Sequence, residues 1–190
     1  LFESKSEHKY YPLTHHDQSF LYCNECDHGF LRYQISPKYL YLADNYHTST
    51  SNSGGSKLCI DNFAKFINAK SSTKTYTLDI GGNDSILLKK IFCQAGMVID
   101  PNAKDIDSGF DICNGFIEDL DIGFLANKKS LTIVSSHTLE HIKQPHLFFE
   151  IMSKLNNIND IFLQFPSLEL MIDAFRFDLV HHQHLHYYSL

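Results

Sequence analysis

A short turn of the chain combines glycines with acidic side chains, in the order Asp79-Ile80-Gly81-Gly82-Asn83-Asp84-Ser85. Glycines let the backbone approach a ligand closely, and the free amides at the start of a following helix can bind a carboxylate or a phosphate. The dinucleotide-binding pattern GxGxxG is absent, and an acidic residue in the turn would repel a pyrophosphate. The turn therefore argues against NAD. A plain strand-to-helix turn with Asp84 as the N-cap is the alternative.

A second acid, Asp100, follows the glycine turn and is itself followed by Pro101. Proline cannot donate to a strand ladder, so the strand before it should end here and leave Asp100 at its tip. An acid at the tip of the second strand, about 20 residues beyond a glycine turn, can accept hydrogen bonds from both hydroxyls of a ribose. The two motifs in this order predict a nucleoside site.

A third polar segment, Ser135-Ser136-His137-Thr138-Leu139-Glu140-His141, comes directly after an apolar run. The spacing of four residues puts His137 and His141 on one helical face, which would suit a metal ion. No third ligand is close in sequence, however. The pattern therefore favours a strand end followed by a helix cap over a metal site.

The pair Cys23-Asn24-Glu25-Cys26, followed by Asp27-His28-Gly29, has the C-x2-C-x2-G spacing of a zinc knuckle. A structural zinc site needs two further ligands. Candidates among nearby residues are His15, His16 and His28. The chain looks cut at both ends, so the missing ligands would otherwise lie upstream. A thioredoxin-type redox motif is the alternative, but it would open a helix, whereas the alternating runs around this pair predict a hairpin.

Composition excludes several classes of protein. The chain has 190 residues, 43% of them hydrophobic, and a formal charge of −6, which allows a sizeable core but no basic surface for nucleic acid. No apolar run approaches the length of a membrane span, and no signal peptide is recognisable. Five cysteines form an odd set, which does not suggest a disulfide framework. We expect a cytoplasmic protein without a nucleic-acid partner.

Apolar patterning predicts the elements that must position these residues. Strands are expected at 76–80, 97–99, 110–113, 131–134 and 161–165, and helices at 59–67, 85–95 and 146–155. This alternation predicts an α/β protein with a Rossmann-like, mostly parallel sheet and helices on both faces. A polar stretch over 47–56 predicts a loop. The expected organisation is a zinc-binding module over 1–45, a linker and lead-in helix over 46–74, and a Rossmann-like core over 75–190.

The three polar motifs resemble the nucleoside-site motifs of class I S-adenosylmethionine-dependent methyltransferases. They are Leu78 to Asp84, Ile99-Asp100-Pro101 and Thr138-Leu139-Glu140-His141-Ile142. The first motif, together with the similarity of residues 177–189 to FDxIYHEHxxYFS, resembles more narrowly the sugar C-methyltransferase family. That family acts on nucleotide-linked deoxysugars and carries an N-terminal zinc-binding domain. The resemblance covers about residues 20 to 190.

The resemblance implies S-adenosylmethionine as cofactor, structural zinc bound by Cys23 and Cys26, and a general base at His184, with His181 as a second catalytic candidate. The cofactor-binding residues it implies are Asp79, Gly81, Asn83, Asp84, Asp100, Asn114 and His137. His181 stands where the family has tyrosine, and Gln183 where it has glutamate. Losing that carboxylate weakens the case for C-methylation, which must remove a proton next to a carbonyl, so transfer to oxygen is slightly favoured.

The expected function is therefore a methyltransferase that modifies a sugar or sugar-linked group in surface-polysaccharide (capsule) or nucleotide-sugar biosynthesis. A nucleotide-binding oxidoreductase is disfavoured by the missing GxGxxG pattern. A catalytically inactive protein of the same fold, which binds S-adenosylmethionine or acts as a scaffold, is the other alternative. The departures at His181 and Gln183 keep it open.

Overall fold

The computed structural model describes residues 18–41, 54–71, 75–93, 95–103 and 109–190, which form two sheets and the helices around them. The large sheet contains β3 (Tyr76–Ile80), β4 (Ala95–Ile99), β5 (Asp111–Cys113), β6 (Leu131–Ser136) and β7 (Ile158–Gln164), and the small one contains β1 (Phe20–Cys23), β2 (His28–Leu31) and β8 (His186–Tyr187). The α-helices are α1 (Pro37–Tyr41), α2 (Gly54–Lys70), α3 (Ile122–Ala126), α4 (Pro145–Ser153) and α5 (Leu168–Asp173). Short 3-10 turns cover Ile117–Asp119, Leu139–His141 and Phe177–Leu179.

The large sheet has the strand order β5-β4-β3-β6-β7, and every neighbouring pair is parallel. The chain thus starts at the central strand, builds one side through β4 and β5, and then crosses back to build the other through β6 and β7. The direction of winding reverses between β3 and β6. In open parallel sheets, ligands bind outside the carboxyl ends of the strands at such a reversal. The predicted Rossmann-like α/β architecture is confirmed.

Both faces of the large sheet are covered, because alternate residues of its strands point to opposite sides. On one face, Leu78, Ile99 and Ile133 pack with Phe148 of α4. On the other, Val98 and Val134 pack with a buried stripe of α2, which consists of Ile60, Phe63, Ala64 and Ile67. Burying each such side chain contributes about 1.5 to 3 kcal/mol, and the two clusters fix the strand tips that carry the polar motifs.

The segment after β3 differs from the prediction. The sequence predicts a helix over 85–95, whereas the structure has a run of turns over 83–90 and begins β4 at Ala95. Asn83 and Ser85 have φ angles of 42° and 58°, left-handed values that cannot begin a right-handed helix. Leu87 and Leu88 are buried all the same, so these turns still cover the sheet.

Helix α2 begins at Gly54, inside the polar stretch that predicts a loop. The part of that stretch before Gly54 lies outside the described residues, because the structure does not describe 1–17 and 42–53. The same holds for His15 and His16. The described helices include none that is both long and apolar enough to cross a membrane.

The small sheet joins distant parts of the chain. β1 and β2 form the predicted hairpin around the cysteine pair, and β8 adds to β2 with Gly29 opposite Tyr187 and Phe30 opposite His186. The amide of Leu31 also donates to the carbonyl of Leu185 at 3.0 Å. The histidine-rich segment is therefore held between the hairpin and the large sheet.

Candidate functional site

A cavity of about 490 Å³ opens at the carboxyl ends of β3, β4 and β6, where the strand order reverses. This volume is in the range of small-molecule sites. Its lining includes Gly81, Asn83, Asp100, His137, Thr138 and His141, and Tyr41 of α1 lines it as well. We call this cavity the crevice. A second cavity, between the small sheet and α5, is lined mainly by apolar side chains such as Phe20, Met171 and Phe177.

Gly81 allows the turns after β3 and β6 to meet at the floor of the crevice. Its φ is +77°, and an ideal Cβ placed there would lie 2.0 Å from Oγ1 of Thr138. Besides Asn83 and Ser85, His137 also has a left-handed φ, of 52°. Such strained conformations cost about 1 to 3 kcal/mol each and concentrate at binding and active sites. Their position around one strand-order reversal makes the crevice the candidate functional site.

One side of the crevice is acidic. Asp79 is 1% exposed, and its Oδ2 has no hydrogen-bond partner. Burial, reinforced by the negative charges of Asp100 and Asp84, raises the pKa of Asp79 to about 8. Neither Asp79 nor Asp100 forms an ion pair with a basic side chain among the residues that the structure describes. We call these three acids with the Gly81 turn the acidic half.

Asp100 lies at the tip of β4, as predicted, and lines the crevice. Its Oδ1 accepts a hydrogen bond from the amide of Asn102 at 2.6 Å, and its Oδ2 accepts one from the amide of Asn83 at 3.3 Å. Burial raises the pKa of Asp100 although these two amides act in the opposite direction. The carboxylate is thus held rigidly, and a carboxylate oxygen has lone pairs left for a ligand.

The opposite side of the crevice carries imidazoles around one buried carboxylate. Glu140 is 1% exposed, and neither of its oxygens makes a hydrogen bond. The nearest imidazole nitrogens to its Oε1 are Nδ1 of His137 at 3.4 Å and Nε2 of His141 at 3.9 Å. Burial alone would raise the pKa of Glu140, but these two rings outweigh it and hold the pKa below its usual value. We call this group, with His181 and His184, the histidine half.

His184 is 9% exposed and its Nδ1 has no hydrogen-bond partner. Its ring centroid lies 4.0 Å from that of His181 and 5.0 Å from that of His141. Burial, and then repulsion from these two rings, lowers the pKa of His184 to about 4, and burial also lowers the pKa of His181. His184 is consequently a neutral imidazole at neutral pH.

The structure brings most of the predicted cofactor residues together. Gly81, Asn83, Asp100 and His137 line the crevice, and Asp79 and Asp84 are buried next to the turn behind it. Asn114 is exposed at the end of β5 and does not line the cavity, although the next residues, Gly115 and Phe116, do. Sequence reasoning missed Glu140 as a site residue, because its partner His184 is far along the chain.

Cys23 ends β1 and Cys26 lies in the turn before β2, and Cys23 is half-buried, Cys26 is exposed and both thiols are free. Backbone amides of Glu25 and Cys26 lower the pKa of Cys23, which favours the thiolate that metals bind. Among the described residues, no third ligand joins the pair. The ring of His28 instead contacts Nδ1 of His186 at 3.0 Å. Zinc at this knuckle stays a prediction.

Comparison of the chain with known protein families and with curated proteins finds no match in either. The chemistry of the crevice is therefore the main guide to function. Asp100 of the acidic half, and His137 and His141 of the histidine half, line the 490 Å³ cavity, and the other charged and imidazole groups of the two halves lie next to these.

Proposed function

We propose that the chain is a methyltransferase that uses S-adenosylmethionine bound in the crevice. The observation that carries this proposal is the acidic half. Asp79 is buried there without a basic partner among the described residues, and Asp100 lines the crevice at the tip of β4. With a pKa of about 8, Asp79 is mostly protonated at neutral pH when no cation lies beside it, and a positive charge there would favour its ionised form. S-adenosylmethionine brings an ammonium and a sulfonium, whereas the phosphates of NAD or ATP would add negative charge to this place.

The residues of the acidic half fit the parts of such a cofactor. The Gly81 turn lets the ligand come close to the backbone, and the carboxylate of Asp79 behind it favours an ammonium. Asp100 is held by two backbone amides, so it is preorganised to accept hydrogen bonds from ribose hydroxyls. When bound, the cofactor supplies an electrophilic methyl group. The protein has to align the acceptor with that methyl and exclude water.

The histidine half is where we place the methyl acceptor. His181 and His184 are neutral imidazoles close to the crevice, and a neutral imidazole can take a proton from an acceptor hydroxyl. The family resemblance supports a sugar or sugar-linked group as the acceptor. It also supports a role in surface-polysaccharide or nucleotide-sugar biosynthesis and a cytoplasmic location. A hydroxyl is slightly favoured as the acceptor, because Gln183 stands where the resembling family has glutamate.

A structural zinc ion at Cys23 and Cys26 belongs to the same proposal. The two cysteines are separated by two residues at a tight hairpin turn. The lowered pKa of Cys23 favours the thiolate form, which is the form that binds metals. Such an ion would brace the hairpin to which β8 pairs. Its role would be structural, away from the acidic half.

Calorimetric titration tests the cofactor assignment. We expect S-adenosylmethionine to bind and NAD and ATP not to bind. Asp100→Ala should weaken the binding by about 10- to 100-fold, the scale for losing charged hydrogen bonds. Asp173→Ala is the matched control, because Asp173 is an exposed acid at the end of α5. Equal affinity of the Asp100→Ala variant and the parent would contradict the assignment.

A binding protein without catalysis is the second candidate, and the changes at His181 and Gln183 favour it. Gln183 is exposed, and its backbone carbonyl, rather than its side chain, contacts His141. No carboxylate of the resembling family's kind is therefore present at that position. Methyl transfer to a sugar nucleotide, followed as a mass increase of one methyl group, separates the candidates, because a scaffold would bind the cofactor but give no product.

A further inference from the structure

The proposed cofactor does not explain the cluster of side chains around Glu140, next to the crevice. One ligand atom each from Glu140, His141 and His184 can be chosen so that all lie within 4.8 Å of one another. Among the described residues, these three form the only such group of metal-ligating side chains. We propose that they bind a divalent transition-metal ion such as Zn2+, and that its open coordination position faces the crevice.

Glu140 provides the first argument. Its carboxylate is buried without a hydrogen bond to either oxygen, and among the described residues its main compensation comes from the rings of His137 and His141. The nearest nitrogens, on His137 and His141, lie 3.4 and 3.9 Å from Oε1, too far for good hydrogen bonds. A bound cation would satisfy this carboxylate directly.

The hydrogen bond of His141 provides the second argument. Its Nδ1 lies 2.7 Å from the backbone carbonyl of Gln183. A carbonyl can only accept, so Nδ1 carries a proton, and in the neutral ring the lone pair is left on Nε2, the nitrogen nearest to Glu140. Metal-binding histidines usually donate their other ring nitrogen to a carbonyl or carboxylate in this way, which fixes the tautomer and orients the ring.

His184 supplies the third ligand, with Nδ1 buried and without a hydrogen bond. The backbone holds it in place, because its amide donates to the carbonyl of His181 at 3.0 Å and the amide of Leu185 donates to the carbonyl of Glu140 at 2.8 Å. The two segments that carry the ligands are thus hydrogen-bonded to each other. Little reorganisation is needed to close the ligand atoms from 4.8 Å onto an ion.

Two imidazoles and one carboxylate form a ligand set that zinc enzymes use with an open fourth position. Because His141 also lines the crevice, that position would point to the methyl acceptor. A bound ion would lower the pKa of a coordinated hydroxyl and so help to remove its proton. His184, as a ligand, would not take that proton itself, and the base would then be His181. The metal site itself stands on the cluster alone, and only this role rests on the proposed function.

Cobalt titration of the metal-free chain is the first test. Co2+ bound by nitrogen and oxygen gives visible d–d bands without the intense thiolate charge-transfer band that the cysteine pair would give. Glu140→Gln keeps the shape of the side chain but removes its charge, so we expect Zn2+ or Co2+ affinity at this site to fall at least 100-fold. His146→Ala, an exposed histidine in α4, should leave it unchanged.

A second ligand variant, His184→Ala, and measurements of the melting temperature show whether a loss of metal binding comes from misfolding. Added Zn2+ should raise the melting temperature of the parent and of His146→Ala, but not that of Glu140→Gln or His184→Ala. Undiminished metal affinity in both ligand variants, or metal bound at the thiols alone, would overturn the site. Calorimetry with S-adenosylmethionine on the same variants separates the proposals, because Glu140→Gln should bind the cofactor as the parent does.

Discussion

The two halves of the crevice are built differently. The acidic half comes from a continuous turn and one nearby strand tip, Asp79 to Ser85 and Asp100, which pair through neighbouring parallel strands. The histidine half joins 137–141 to 181–184, distant segments that the small sheet, backbone hydrogen bonds and the contacts of His141 with Gln183 and His184 bring together. The proposed cofactor subsite is thus encoded locally, while the proposed acceptor subsite depends on tertiary structure.

In the proposed function the histidine half carries out the reaction and the acidic half binds the cofactor. His184→Ala is the strongest test of this division. We expect turnover to fall by about 10²- to 10⁴-fold while affinity for S-adenosylmethionine stays nearly unchanged. Steady-state kinetics and calorimetry on one preparation measure both quantities. His182→Ala is the control, since His182 neighbours the turn but is not part of the Glu140 cluster. Normal turnover in His184→Ala would remove this histidine from the reaction.

Gly81→Ala should destabilise the turn that forms part of the acidic half. The substitution forces a Cβ into a residue with φ of +77° and against Thr138, so we expect a loss of about 2 to 4 kcal/mol in the free energy of unfolding. Urea denaturation measures it. Gly109→Ala is a control for the backbone cost alone, because Gly109 has a φ of +72° but open space around it. Equal losses in both variants would show that the contact with Thr138 does not matter.

Asp79 gives the acidic half a characteristic pH dependence. Its pKa is raised to about 8 in the fold, so the folded state binds this proton more tightly than the unfolded chain. The resulting stabilisation is fully present below about pH 4 and is lost as the pH rises through about 8. Asp79→Asn cannot titrate, so the gap between its stability and that of the parent should change by up to about 1.4 kcal/mol per pH unit in this range.

Denaturation curves from pH 5 to pH 8 measure this gap, and Asp173→Asn provides the matched control with an exposed acid. Saturating S-adenosylmethionine should flatten the parent's pH dependence, because a cation beside Asp79 favours its ionised form. Parallel curves for the parent and Asp79→Asn would contradict the assigned electrostatics.

Cys23→Ser should have the smallest effect on the crevice. It should release zinc from the hairpin and loosen β1 and β2, while the affinity for S-adenosylmethionine changes by less than about twofold, because the pair lies away from the acidic half. Metal analysis and calorimetry check the two parts. Full zinc occupancy in Cys23→Ser would reject the knuckle, and a large loss of cofactor affinity would show that the hairpin supports both halves.

The sequence predicted the acidic half well because its signals are local. Short apolar runs predicted β3 and β4, and the proline after Asp100 marked a strand tip, so the order of the motifs followed from the parallel fold. The helix predicted over 85–95 was wrong, because periodicity does not report the left-handed φ values at Asn83 and Ser85. Burial of the same apolar residues is compatible with turns.

The histidine half was predicted only in part. The spacing of His137 and His141 suggested a metal, but the sequence offered no third ligand nearby, and the carboxylate of Glu140 was not singled out. The third ligand, His184, is 43 residues beyond His141, and it arrives through the pairing of β8 with β2.

The pairing of β2 with β8 also bears on the order in which the molecule folds. His28 and His186, in contact through this sheet, are 158 residues apart in sequence. Contacts of such separation close large loops, so they form later than the neighbouring parallel strands of the central sheet. A folding chain would therefore possess the acidic half while the histidine half is still unassembled. A ligand that recognises only the acidic half would then raise the population of that intermediate, without changing the rate constant of the final docking step.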